Sequence, residues 1–205
     1  MNDTLDQKTA YATDIVSGFP LYQFRPSMMG AEYTFRLAPD ALEWDIGRRN
    51  GRIAYRNFVR VRLGFRPANL AGSRFTAEIW SREGLKLLIS SVSARSIFDF
   101  ENRGPAYRAF VMELCQRIAA AGAGCRFDAG FPHWRWWPAM VVSLAVLAAL
   151  LYLWAKMLLA GELAIGAALI AFALFFLWQI GSMIVRNRPH IYSPTAIPNH
   201  VLPSA

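Results

Sequence analysis

Two long apolar runs near the C-terminus constrain this chain more than any other feature. Residues 139–155 carry no charged side chain, and residues 163–185 also carry none, with Gln179 as their one amide. A bilayer core about 30 Å thick is crossed by about 20 apolar helical residues. With a short polar break between the runs, the pattern predicts a transmembrane helical hairpin over residues 138–185, which we expect to be a structural anchor.

The charges and aromatic rings beside this hairpin predict its orientation. Basic residues precede the first span and follow the second, whereas in the connecting loop Lys156 is balanced by Glu162. Because basic residues near membrane ends tend to stay in the cytoplasm, we expect a multi-pass protein of the bacterial inner membrane with both termini cytoplasmic. The expected interface anchors are Trp134, Arg135, Trp136, Trp137, Arg186 and Arg188.

Residues 33–100 show the two-residue period that half-buried strands produce. Apolar and polar side chains alternate over 33–37, 42–46, 53–55, 59–65, 75–79 and 85–89, and more weakly over 97–100. The period then changes to three and four from Tyr107 to Ile118, which predicts an amphipathic helix with Pro105 in its first turn. The sequence therefore predicts an α+β domain: an antiparallel β-sandwich or barrel with one C-terminal capping helix.

This order of elements resembles the pleckstrin-homology-like (PH-like) superfold. The resemblance covers residues 33–121 and includes Leu42-Glu43-Trp44, Gly51-Arg52-Ile53, Val61-Arg62-Leu63 and the segment from Tyr107 to Val111. The same segments are similar to uncharacterised small bacterial membrane proteins with a PH-like domain. The resemblance implies a binding module, since this superfold has no invariant catalytic motif.

Composition shifts divide the chain into five predicted parts. These are a flexible arm over 1–30, the β domain over 31–123, an aromatic linker at the membrane interface over 124–137, the hairpin over 138–185, and a Pro-rich cytoplasmic tail over 186–205. In the tail, apolar residues such as Tyr192, Val201 and Leu202 favour docking slightly over disorder.

The net charge of +8 is concentrated in a stretch of arginines. Residues 47–77 contain no acidic side chain, and we expect Arg60, Arg62 and Arg66 to share one face of a strand. Three interpretations remain open: a solvated polar face, contact with anionic lipid headgroups, or an acidic protein partner. Nucleic acid is not expected, because exposed aromatic residues are not interleaved with the arginines. The candidate lipid or partner contacts are Arg48, Arg49, Arg52, Arg56, Arg60, Arg62 and Arg66.

The sequence offers little for catalysis or metal binding. His133, His190 and His200 have no Cys or carboxylate at ligand spacing, and the common hydrolase, phosphate-loop and dinucleotide motifs are absent from the sequence. Cys115 and Cys125 have no metal-site spacing, and we expect small buried thiols. We therefore predict no catalytic residues, no metal, no cofactor and no enzyme activity.

Two functional hypotheses follow from this pattern. The first is a membrane-anchored scaffold or regulatory protein that presents a basic PH-like domain at the inner membrane. The alternative is an accessory subunit of a membrane enzyme or transport complex. Both imply membrane lipids as partners, together with a protein partner or homo-oligomer through the hairpin, because small residues in the spans allow close helix approach.

Overall fold

The computed structural model describes residues 12–13, 18–67, 73–95, 100–122 and 124–203. These residues belong to two compact units. One unit lies within Met1–Gly130 and His190–Ala205, and the other is Phe131–Pro189. The chain is α+β, with antiparallel and mixed sheets in the first unit and two long apolar helices in the second.

The first described sheet is an antiparallel meander of five strands, in the order β1-β2-β3-β4-β5. One face of this sheet packs into the core, because apolar residues at alternate positions, such as Phe35 and Leu37, point to the same side and are buried. Gly51 lies opposite Trp44, and a Cβ there would come within 2.9 Å of the indole ring, so this position requires glycine. The strands are β1 (Ala12–Thr13), β2 (Pro20–Phe24), β3 (Tyr33–Leu37), β4 (Ala41–Asp45) and β5 (Asn50–Ala54).

The second described sheet combines antiparallel and parallel pairs, in the order β12-β11-β6-β7-β8. Only the β11–β6 pair among these is parallel. A separate two-stranded ladder pairs β9 (Val92–Ala94) with β10 (Phe100–Asn102). The second sheet consists of β6 (Phe58–Pro67), β7 (Ser73–Ser81), β8 (Lys86–Ser90), β11 (Arg126–Ala129) and β12 (His190–Ile191).

Helix α1 (Gly104–Ala120) packs its apolar side into the core of the first unit. Its Phe110 ring lies 5.5 Å from that of Tyr22 on β2, measured between centroids. At its last turn, Arg117 donates hydrogen bonds to the carbonyl oxygens of Leu37 and Ala38. The predicted amphipathic helix is therefore confirmed, and it is held to the first sheet by ring contacts and by side chain–backbone hydrogen bonds.

The C-terminal tail returns to the domain and completes its core. The Tyr192 amide donates to the carbonyl oxygen of Phe127, and the Tyr192, Val201 and Leu202 side chains are buried. Arg108 of α1 donates to the carbonyl oxygen of Pro203. The expected docking of the tail is confirmed, and its binding site is the first unit itself.

The second unit is an apolar helical hairpin. It contains α2 (His133–Leu159), α3 (Leu163–Phe176), a π-helical segment (Leu177–Gly181) and α4 (Ser182–Arg186). Two helical stretches, His133–Leu159 and Leu163–Arg186, are long and apolar enough to cross a membrane. Gly166 lies against Trp154 of the other arm, and a Cβ at this position would meet the ring at an ordinary contact distance of 3.7 Å.

Several sequence-based expectations need correction. The described strands form separate sheets, so the expected alternative of a closed barrel is wrong. Residues 20–24 form β2 with Tyr22 and Phe24 buried, so the flexible-arm expectation is wrong there; residues 1–11 and 14–17 lie outside the described residues. The segment expected to be a linker contains β11 and the first turn of α2, which places Pro138 inside the helix rather than at its start.

We predict that Tyr192→Ala destabilises the first unit by about 3 kcal/mol, because a buried aromatic ring is lost from a packed core. Urea unfolding of the full chain in a neutral detergent, followed by near-UV circular dichroism, measures this change. Ile191→Ala is the matched control. The Ile191 side chain, next to Tyr192 in the chain, is 64 % exposed, so its loss should change the free energy of unfolding by no more than about 0.5 kcal/mol. Equal effects of the two substitutions would contradict the docked position of the tail.

Candidate functional site

The side of the second sheet that faces away from the core is strongly basic. Along β6, the buried Val61, Leu63 and Phe65 alternate with residues 60, 62, 64 and 66 on the opposite side. The register with β7 pairs Arg60 with Trp80, Arg62 with Glu78, Gly64 with Thr76, and Arg66 with Arg74. We call this surface the basic face; it comprises Arg60, Arg62, Arg66, Arg74, Glu78, Trp80, Lys86, Arg126 and Asp128.

Trp80 organises the cations at one end of the basic face. The guanidinium carbons of Arg60 and Arg62 lie 5.7 Å and 5.5 Å from the centroid of its ring. The Lys86 ammonium lies 5.0 Å from the same centroid and pairs with Glu78 at 3.1 Å. Contacts of this kind are attractive because the ring face carries partial negative charge, so one indole holds three neighbouring cations in place.

Asp128 neutralises Arg60 and one further cation, Arg126, at the same end. Its carboxylate accepts hydrogen bonds from Arg60 Nε at 2.6 Å and from Arg126 Nε at 2.8 Å. The parallel register places Arg126 beside Arg60 and Asp128 beside Arg62. Because Asp128 is only 6 % exposed, its negative charge needs both partners in order to be stable. We call this region, with Arg60, Arg62, Arg126, Asp128, Trp80, Lys86 and Glu78, the paired end.

Two cations of the basic face, Arg66 and Arg74, form what we call the open end. Neither forms an ion pair with a described carboxylate. Arg62 belongs to the paired end, because its guanidinium lies over Trp80 and its register partners are Glu78 and Asp128. Arg62 Nε is buried and has no hydrogen-bond acceptor among the described residues, whereas Arg74 Nε donates to Ser90 Oγ at 3.1 Å. Burial lowers the pKa of Arg62 and of Arg74, and the neighbouring positive charges of Arg60 and Arg66, respectively, lower them further.

The other arginines that the sequence nominated lie elsewhere. Arg48 and Arg49 occupy the exposed turn between β4 and β5, and Arg56 lies in the 3-10 turn Tyr55–Asn57. Arg52 on β5 pairs with Asp40 at 2.5 Å. Arg52 and Arg60 lie in different sheets, because β5 pairs with β4 in the first sheet and β6 belongs to the second.

The expected interface anchors surround the ends of the hairpin in the second unit. Trp134 and Trp137 are exposed, and the Arg135 guanidinium lies 5.7 Å from the centroid of the Trp134 ring. Trp136 Nε1 donates to the carbonyl oxygen of Ile184 at 3.0 Å, so this ring joins the two arms. Arg186 and Arg188 are exposed at the same end of the hairpin, where the second arm finishes beside Trp136.

The described cysteines are free thiols. Cys115 is fully buried with its Sγ 3.9 Å from the Tyr192 hydroxyl, and burial raises its pKa to about 12. Burial also raises the pKa of Cys125, to about 11. Among the described residues, no cluster of three or more His, Cys, Asp or Glu side chains has the arrangement of a metal site.

Sequence reasoning found the arginines of β6 but missed the residues that organise them. Arg74 and Trp80 alternate with buried residues along β7, and this pattern could have placed them on the face of Arg60. Asp128 offered no comparable signal, because it reaches Arg60 from 68 positions away through a parallel strand pair.

No protein-family model, curated protein or solved structure matches this chain. Its function is therefore argued from the two units themselves.

We predict that Asp128→Asn destabilises the first unit by about 1–2 kcal/mol, because Arg60 and Arg126 lose a shared and buried counter-charge. Urea unfolding of the full chain in detergent measures the change. Asp40→Asn removes a carboxylate that is 71 % exposed and should cost about 0.5 kcal/mol or less. If both variants unfold at the same urea concentration, Asp128 does not hold the paired end together.

Proposed function

We propose that this chain is a membrane-anchored, non-enzymatic binding or regulatory protein that presents a basic domain at the cytoplasmic face of the bacterial inner membrane. One observation carries the proposal. The apolar hairpin is inserted between β11 and β12, which are paired neighbours in the second sheet, with Ala129 opposite His190. Both ends of the hairpin are thus tied to one domain, which suits a domain that must remain at the membrane surface.

The exposed side chains of the hairpin support the anchor. Large apolar residues such as Leu144, Leu174 and Trp178 point away from the helix pair and would be poorly accommodated by water. Lipid tails would cover them without cost. Trp134 and Trp137 fit the headgroup level, where an indole keeps its apolar body in lipid and its N–H in water.

We further propose that the first unit is a PH-like domain. The support is the run of short, mostly antiparallel strands followed by helix α1, whose apolar side packs into the core. Strands β11 and β12 would then be additions made after the helix, and their role would be to connect the domain to the hairpin.

The alternative, an accessory subunit of a membrane complex, has its own support in the second arm of the hairpin. Phe172, Phe175 and Trp178 are exposed near the π-helical segment, and such segments are frequent at functional sites. Native purification in mild detergent separates the two proposals. A stoichiometric membrane protein that co-purifies with this chain would favour the subunit.

The basic flanks of the hairpin support a cytoplasmic position for the domain, since basic residues near membrane ends tend to stay in the cytoplasm. An impermeant maleimide should label a Glu162→Cys variant from outside the cell, since this residue lies between the two arms. Labelling only in inside-out vesicles would reverse the orientation.

We predict that replacing residues 131–188 with a short Asn-Gly turn releases a soluble, folded domain. The paired positions of Ala129 and His190 allow a hairpin loop of about five residues to join β11 to β12. Fractionation, circular dichroism and urea unfolding measure the outcome.

The full chain is the control for this experiment. It should stay in the membrane pellet after washes with high salt and with carbonate, because an apolar hairpin is not held by charge. A hairpin-free variant that remains equally resistant to both washes would overturn the anchor, and a full chain that carbonate extracts would do the same.

A further inference from the structure

Charge compensation is unequal along the basic face. At the paired end, Asp128 forms ion pairs with Arg60 and Arg126, and Glu78 forms one with Lys86. At the open end, Arg66 lies directly opposite Arg74 across the β6–β7 ladder, and no described carboxylate pairs with either. Like charges in directly opposed positions destabilise a sheet, so an anion from outside the domain would relieve this pair.

Little side-chain bulk separates Arg62 from Arg66 on this side of β6. Gly64 occupies the intervening position on this side of β6, and Thr76 lies opposite it. A Cβ at residue 64 would come 3.4 Å from Thr76 Oγ1, so the hydroxyl lies beside the gap that the missing side chain leaves. The position next to Arg66 on this face therefore carries no side chain, and the buried Thr76 hydroxyl donates to the Gly64 carbonyl oxygen at 3.4 Å.

The direction of the strands places the open end where the chain leaves the sheet. Because β11 is parallel to β6 with Ala129 opposite Leu63, residues 64–67 extend beyond the end of β11 in the direction that the chain follows. The connection from Ala129 to His133, the first residue of α2, is four residue steps, which span at most about 14 Å.

We propose that the open end binds the phosphate of an anionic phospholipid headgroup through Arg66 and Arg74. The inference deepens the proposed membrane anchoring and rests on it. Arginine suits this ligand because its planar fork donates two parallel hydrogen bonds to phosphate oxygens. The exposed turn of Arg48 and Arg49, which belongs to the first sheet, takes no part in this site.

A lipid fits these observations better than an acidic protein. Arg66 and Arg74, the cations without a described counter-charge, lie on the part of the sheet that extends past the end of β11, where the chain leaves the first unit. Arg60, earlier on β6, is already neutralised by Asp128 within the domain. A hairpin in the bilayer would also hold phospholipid headgroups at high local concentration beside the end of β11.

The test uses the full chain, delipidated in a neutral detergent, and counts bound lipid by native mass spectrometry. Phosphatidylglycerol is titrated against phosphatidylcholine, which carries no net charge, and the difference between them reports headgroup recognition. Arg66→Gln/Arg74→Gln should weaken the phosphatidylglycerol preference about twenty-five-fold, since each basic residue near an anionic surface contributes roughly a factor of five. Arg66→Gln alone should weaken it about fivefold.

Arg48→Gln/Arg49→Gln is the matched control, with the same loss of two charges, and it should keep the wild-type preference. Equal losses in the control and the double variant would overturn the site, as would an unchanged preference in Arg66→Gln/Arg74→Gln. Urea unfolding checks that each variant is folded. If the double variant is unfolded, the single variant Arg66→Gln tests the site instead, because the Arg66 side chain is exposed and its replacement should leave the fold intact.

Two further arms identify the source of the phosphate. Inorganic phosphate that displaces phosphatidylglycerol at equal free concentration would overturn a lipid site in favour of a soluble anion. Loss of a co-purifying acidic protein in Arg66→Gln/Arg74→Gln, with lipid preference intact, would overturn it in favour of a protein partner. Neither outcome contradicts the proposed membrane anchor, because the anchor is tested separately by the hairpin-free variant and the carbonate wash.

Discussion

The pairing of β11 with β12 is the constraint on which the rest of the structure depends. It sets Asp128 opposite Ile191 and Ala129 opposite His190, and it brings the Tyr192 amide to the carbonyl oxygen of Phe127. Because Tyr192, Val201 and Leu202 then complete the core, the first unit is built from two separated parts of the chain. The apolar hairpin becomes an insertion within a domain rather than an appendage at its end.

The same strand also decides the charge pattern of the basic face. β11 delivers Asp128 to Arg60 and Arg126, so these cations are neutralised inside the domain. It ends beside Leu63, and the part of β6 that continues past it carries Arg66 opposite Arg74 without a comparable acid. The insertion of the hairpin and the open end thus have one structural origin, since a short parallel strand precedes the hairpin in the chain and leaves the end of β6 without a described counter-charge.

The sequence predicted the local elements better than their arrangement. Alternation identified β3, β4, β6, β7 and β8, and the spacing from Tyr107 to Ile118 identified α1, because burial on one side leaves a regular period. β2 was missed since Pro20 and Pro26 made its segment look like a loop, although Tyr22 and Phe24 are buried. β11 and β12 are too short to leave a period, and the pairing of Arg60 with Asp128 depends on a contact between distant segments. The sequence therefore identified the arginine stretch, but it did not predict that these arginines are divided between two sheets.

Amide hydrogen exchange of the full chain in detergent tests most directly whether the tail is an integral part of the domain. The Tyr192 amide should exchange as slowly as that of Val61 in β6, because both should open only when the first unit unfolds globally. The Ala196 amide, which donates to Ser193 within an exposed turn of the same tail, should exchange much faster and serves as the internal reference. Exchange of Tyr192 at the rate of Ala196 would contradict the account, since the tail would then be a segment that opens independently of the domain.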